Sequence, residues 1–148
     1  MRTDDVSPDE TVRVRWDENE VRMSICLQNP VVVRERDAKT IAVFPSSWHC
    51  DIVEWSAPGR VTFDAMNYPR GDIRVRVSVD VESERCTIDG DERPAPQLEK
   101  LLDDALDRAI APALMPDGAC PYCANASAVV VRGTRKQCLI CERFYPAT

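Results

Sequence analysis

Arg74-Val-Arg-Val-Ser-Val-Asp-Val81 alternates apolar and polar residues without a break. Successive side chains along a strand point to opposite faces, so Val75, Val77, Val79 and Val81 line one face and polar residues the other. One dry and one wet face is the mark of an antiparallel sheet rather than a parallel one. Outward from this stretch the same period recurs. Val12-Arg-Val-Arg-Trp16 and Val21-Arg-Met-Ser-Ile-Cys-Leu27 flank Asp17-Glu-Asn-Glu20, which reads as the turn of a hairpin. Val31–Arg36 and Thr40–Phe44 flank Asp37-Ala38-Lys39 as a second hairpin. Asp51–Trp55 and Val61–Ala65, joined by Ser56-Ala-Pro-Gly59, predict two more strands, and a last strand around Arg85–Ile88 ends at Asp89-Gly90.

One segment breaks the period. Between Pro96 and Pro112, Leu98, Leu101, Leu102, Ala105, Leu106, Ala109 and Ile110 recur at helical spacing, with Asp103, Asp104, Asp107 and Arg108 opposite. The spacing predicts an amphipathic helix over 97–110, stopped by Pro112 and Pro116, whose apolar stripe covers one sheet face. The expected class is α+β. Residues 11–115 form a mainly antiparallel β body with one covering helix. Residues 1–10, polar and acidic, form a flexible tail, and residues 117–148 form a separate small module.

The chain has 148 residues, 44% of them hydrophobic, which is enough for a real core and excludes wholesale disorder. No apolar run approaches the length that spans a bilayer, and the acidic start is the opposite of a secretory signal, so a cytoplasmic protein is expected. The net charge of −6 is uneven. Residues 1–116 carry 15 Lys/Arg against 23 Asp/Glu, giving −8, whereas residues 117–148 carry four against two, giving +2.

Cys120-Pro-Tyr-Cys123 and Cys138-Leu-Ile-Cys141 are two Cys-x-x-Cys pairs separated by fourteen residues. A bend between paired cysteines aims two sulfurs at one ion at about 2.3 Å, so four thiolates at this spacing suit a tetrahedral zinc. Ala126–Arg132 is strand-like and Gly133-Thr134 suits a turn, which brings the second pair back beside the first. Cys120–Cys141 resembles a zinc ribbon, a small β module in which two knuckles clamp one zinc. Ala124 and Glu142 stand where such knuckles often carry glycine. Rubredoxin-type iron shares the ligand set but typically has more chain between the pairs. Four thiolates leave no coordination position for water or substrate, so the expected role is one structural Zn²⁺ held by Cys120, Cys123, Cys138 and Cys141.

Other residues suggest chemistry less specifically. His49, the single histidine, sits in Ser46-Ser-Trp-His-Cys-Asp51 beside Cys50. A histidine base can generate a thiolate nucleophile, but neighbours in extended chain point to opposite sides. Cys26, Cys50 and Cys86 therefore read as ordinary reduced thiols. Arg13, Arg15, Arg22, Arg34, Arg36, Arg74 and Arg76 stud the polar strand faces. They form either a guanidinium-rich grip for anions or a solvated face paired with Asp and Glu. In the C-terminal module, Arg132, Arg135, Lys136 and Arg143 interleave with Phe144 and Tyr145, the composition of a modest contact to nucleic acid or an acidic partner.

The expected function is a non-catalytic binding or adaptor protein with a protein partner and a structural zinc. A nucleic-acid-binding protein and a thiol enzyme centred on His49-Cys50 are the alternatives. Neither a membrane partner nor a small-molecule substrate is expected.

Overall fold

The alternating valines do form a strand, at the centre of a five-stranded meander. The computed structural model of the chain describes residues 2–21, 25–68, 73–110, 129–132, 135–138 and 144–146. Its strands are β1 (Asp5–Val6), β2 (Val12–Val21), β3 (Ile25–Arg34), β4 (Lys39–Val43), β5 (Trp48–Ser56), β6 (Arg60–Asn67), β7 (Arg74–Asp80), β8 (Arg85–Ile88) and β9 (Asp91–Pro94). A 3-10 turn at Ala95–Gln97 leads into α1 (Leu98–Ile110), and β10 (Val129–Arg132), β11 (Arg135–Cys138) and β12 (Phe144–Pro146) follow. Every pairing is antiparallel. The sheets run β1-β2-β3-β4, β5-β6-β7-β8-β9 and β10-β11-β12. The α+β expectation, mostly antiparallel sheet with one short helix, is what the structure shows.

The first two sheets share one core. Val12, Val14, Trp16, Val32, Ala42 and Phe44 from one meet Trp48, Cys50, Val61, Phe63, Val77, Val79, Cys86 and Ile88 from the other. Phe63 is the joint, edge-to-face with Phe44 at 5.0 Å and with Trp16 at 6.3 Å between ring centroids. From α1, Leu98, Leu101, Leu102, Ala105, Leu106 and Ile110 close the same core, each buried leucine contributing about 2 kcal/mol of transfer free energy. Ala109, expected on this stripe, is exposed. Arg93 ties the helix to β9, with Nη2 2.7 Å from Asp91 and Nη1 2.7 Å from Asp104.

Several local readings differ from the structure. Asp17-Glu-Asn-Glu20 is not a turn but the second half of β2, paired in register from Asp17↔Asn29 to Glu20↔Cys26. Its polar residues extend past the shared core, where the ladder continues opposite β3 and Leu27, the partner of Asn19, is the apolar side chain it buries. Asp89-Gly90 does not end the sheet either. Both residues have positive φ, 50° and 81°, as a two-residue type I′ hairpin turn requires, and the chain returns as β9. Near the N-terminus, read as a tail, β1 pairs with β2 through Asp5↔Val14 and Val6↔Arg13. The Arg2 guanidinium lies 3.7 Å from the Trp16 ring centroid, and Trp16 Nε1–H donates to Asp5 at 2.7 Å. Among the described residues, no helix is long and apolar enough to cross a membrane.

Candidate functional site

Of the C-terminal residues singled out by sequence, Arg132, Arg135, Lys136, Cys138, Phe144 and Tyr145 fall on the three-stranded sheet. β10 and β11 pair from Val129↔Cys138 to Arg132↔Arg135, and the turn expected at Gly133-Thr134 lies outside the described residues. Cys138 is the last residue of β11 and is fully buried. Cys120, Cys123 and Cys141 lie outside the described residues. Among the described residues, no three metal-ligating side chains cluster. The register sets Lys136 opposite Tyr145, Gln137 opposite Phe144, and Arg132 opposite Arg135. Arg143 lies outside the described residues.

His49 and Cys50 face opposite ways along β5, as alternation demands. The Cys50 side chain enters the core, where it is fully buried. Burial pushes its thiol well above the ordinary value, with Asp51 and Asp64 adding to the effect. Its Sγ lies 3.9 Å from the Trp48 carbonyl. This is the reverse of the electropositive, accessible setting that makes a thiolate. Cys86 is buried on β8, and desolvation raises it too. Cys26 is exposed at the far end of β3.

His49 looks instead toward β3. Its Nδ1 accepts the Gln28 backbone N–H at 3.0 Å, and its Nε2 lies 3.7 Å from Asp51 Oδ2. Beside it, the buried Asn29 donates through Nδ2 to the Trp48 carbonyl at 2.7 Å. Because β4 pairs with β3 only from Val31 to Arg34, the Gln28–Asn29 edge is left for these two contacts to close.

The arginine-bearing strands do not present a bare cationic face. Arg13 pairs with Glu35 and Asp4, Arg36 with Glu82 at 2.8 Å, and Arg74 with Asp64 at 3.0 Å. Arg22 lies outside the described residues. Arg15 and Arg76 are exposed. A cleft of about 610 Å³ lies along this surface, but Arg13, Arg34 and Arg36 share its wall with Glu10, Glu35 and Glu82. Three cations against three anions leave no net pull on an anionic ligand.

Arg34 stands apart because its side chain is only 8% exposed. It donates to Asp37 at 2.8 and 3.0 Å and to Glu84 at 3.4 Å, and Nη1 reaches the Val81 carbonyl of the opposite sheet at 3.1 Å. Hydrogen bonds from Arg34 hold the Asp37 carboxyl down to about 2. Lys39 joins by pairing with Glu84 at 2.6 Å, so this cluster clamps the β3–β4 turn onto the β7–β8 turn. Sequence reasoning placed Arg34 among surface arginines. No local signal marks it, because Glu84 lies fifty positions away.

No family model matches the chain, and no curated protein or solved structure matches it either. Its class therefore rests on its own geometry: an antiparallel two-sheet body with a covering helix, followed by a small three-stranded sheet.

Proposed function

We propose that the protein is a non-catalytic, cytoplasmic binding or adaptor protein that engages a protein partner. Its C-terminal segment is a zinc ribbon in which Cys120, Cys123, Cys138 and Cys141 hold one structural Zn²⁺. The carrying observation is the pair of Cys-x-x-Cys sequences, with Cys138 buried at the end of a strand in a short antiparallel sheet. A module of about thirty residues buries too little apolar surface to fold alone, and a metal supplies the missing stability. The burial of Cys50 and Cys86 and the outward turn of His49 favour a binding role over a thiol enzyme. Acid partners on most of the sheet arginines favour the ribbon as the recognition surface.

Metal analysis of protein purified without added metal is expected to return about one zinc per chain, and Cys138→Ser to lose it. Iron, or no metal, would overturn the assignment. Affinity capture with wild type but not with a deletion of 117–148 tests the partner role.

One observation favours nucleic acid as a second reading of the same module. The register makes Arg132 and Arg135 cross-strand partners, so two positively charged residues stand at neighbouring backbone positions. Lys136 on β11 adds charge, the sequence supplies Arg143 as well, and Phe144 and Tyr145 offer ring chemistry for stacking. On this reading the protein is retained on DNA or RNA columns and released steeply by salt. No retention at low salt removes it.

A further inference from the structure

The His49 contact with β3 has a chemistry that the binding role does not use. A neutral imidazole carries one proton, so a ring whose Nδ1 accepts a hydrogen bond keeps that proton on Nε2. Here Nδ1 accepts from the Gln28 backbone N–H at 3.0 Å, and Nε2 faces Asp51 Oδ2 at 3.7 Å. Addition of a second proton turns Nδ1 into a donor aimed at another donor. The bond cannot survive in that form.

We propose that His49 is a proton-operated clasp between the two sheets of the body, closed when the ring is neutral and open when it is charged. Gln28 lies on the part of β3 that β4 does not cover, so its N–H loses its only partner among the described residues when the ring charges. The neighbouring tie from Asn29 Nδ2 to the Trp48 carbonyl at 2.7 Å holds no titratable group and stays closed. Acid thus releases the Gln28 tie, while Asn29 keeps its contacts with the Trp48 carbonyl and, at 3.3 Å, with those of Pro45 and Ser46.

Charged groups of both signs surround the ring. Asp51 lies on β5 with Asp64 of β6 as its register partner, and Glu18 of β2 is opposite Gln28. Arg2 Nη1 is 3.9 Å from Asp51, and Arg74 of β7 is the register partner of Met66, which itself pairs with His49. Gln28 also carries a buried side-chain oxygen without a hydrogen-bond partner among the described residues. Rotation of that side chain would offer the charged ring an acceptor on the same residue whose N–H it released.

The test is an NMR titration of the full-length protein through the range in which histidine takes up its proton, roughly pH 8 to 5. At the neutral end, imidazole ¹⁵N shifts are expected to show the Nε2–H form. As His49 charges, protection of the Gln28 amide from hydrogen exchange, corrected for intrinsic rate, is expected to fall by about tenfold, the worth of one net hydrogen bond. The Val61 amide, deep in the second sheet, keeps its protection. His49→Gln retains an acceptor that does not titrate, so the Gln28 step should vanish. An Nδ1–H form at neutral pH overturns the proposal. So does Gln28 protection that ignores the titration, or the same step in His49→Gln. Should that variant not fold, the wild-type tautomer and exchange data decide alone.

Discussion

Arg34 shows what a single residue contributes that its neighbours in sequence do not announce. It follows Val31-Val-Val33 and reads as the polar end of a strand, yet it is buried and reaches Asp37, Glu84 and the Val81 carbonyl. Removal of the guanidinium takes the Arg34 donor from the Val81 carbonyl and from the Asp37 and Glu84 carboxylates, leaving Glu84 to Lys39 alone. Arg34→Met is therefore expected to lower the urea midpoint clearly more than Arg36→Met, whose side chain is 63% exposed beside Glu82. Equal effects would mean that the clamp adds no stability. The same pair sets an acid limb. Asp37 is held down to about 2 from its ordinary 3.8, so its contribution is full above pH 4 and is lost as pH falls toward 2. Urea titrations at pH 6, 4, 3 and 2 should show the gap between wild type and Asp37→Asn closing over that interval. The thiols differ as sharply: Cys26 should react with iodoacetamide in the native protein, while buried Cys50 and Cys86 should not. Mass mapping of labelled peptides reads this directly, and fast labelling of Cys50 would reopen a nucleophilic role.

At the scale of elements, what the sequence made legible was period. Strands β6, β7 and β8 lie where alternation placed them, because each has one face in the core and the other turned from it, while β4 was found although a register shift buries Ile41 and Ala42 in succession. The helix was legible for the same reason, down to its entry after Pro96. Elements without that asymmetry were missed. Glu18 and Glu20 looked like a turn because both faces of β2 are polar beyond Trp16, and β9, Asp-Glu-Arg-Pro, looked like loop because it is a charged edge closed by a proline. Turn chemistry gives a prediction here. Gly59 and Gly90 both sit at positive φ, 72° and 81°, where alanine is strained. Added methyls meet different surroundings: nothing within 4 Å at Gly90, but Val81 Cγ2 at 3.1 Å and Glu82 Cγ at 3.2 Å at Gly59. Gly90→Ala should cost about 1 kcal/mol, the backbone price alone. Gly59→Ala should cost more, because the crowded Val81 side chain is itself core. Equilibrium unfolding of the two variants ranks them, and the reverse order would refute the crowding argument.

The way the whole molecule comes together was not legible, because alternation says which face of a strand is dry but not which sheet will cover it. The contacts that decide this join Trp16 and Phe44 to Phe63, residues far apart in the chain with no local trace of their meeting. The metal site is the opposite case: four cysteines name it in sequence, and only Cys138 lies among the described residues. The two halves thus draw on different sources of stability, burial in the body and, on the proposed reading, thiolate coordination in the module. Cys138, the one proposed ligand among the described residues, is not part of the body's core, which is built from Val12 to Ile110. Zinc removal should therefore act selectively. Treatment with a strong chelator at neutral pH is expected to collapse amide signals from Val129–Arg132, Arg135–Cys138, Phe144 and Tyr145, while those of Val61, Phe63 and Val77 stay in place. Cys138→Ser should reproduce that pattern without chelator, and stoichiometric zinc should restore the signals in wild type only. If the body signals vanish together with the module's, the two do not stabilise separately and the metal supports the core as well. If nothing changes, the four cysteines hold no metal that matters to the fold, and the ribbon reading fails with them.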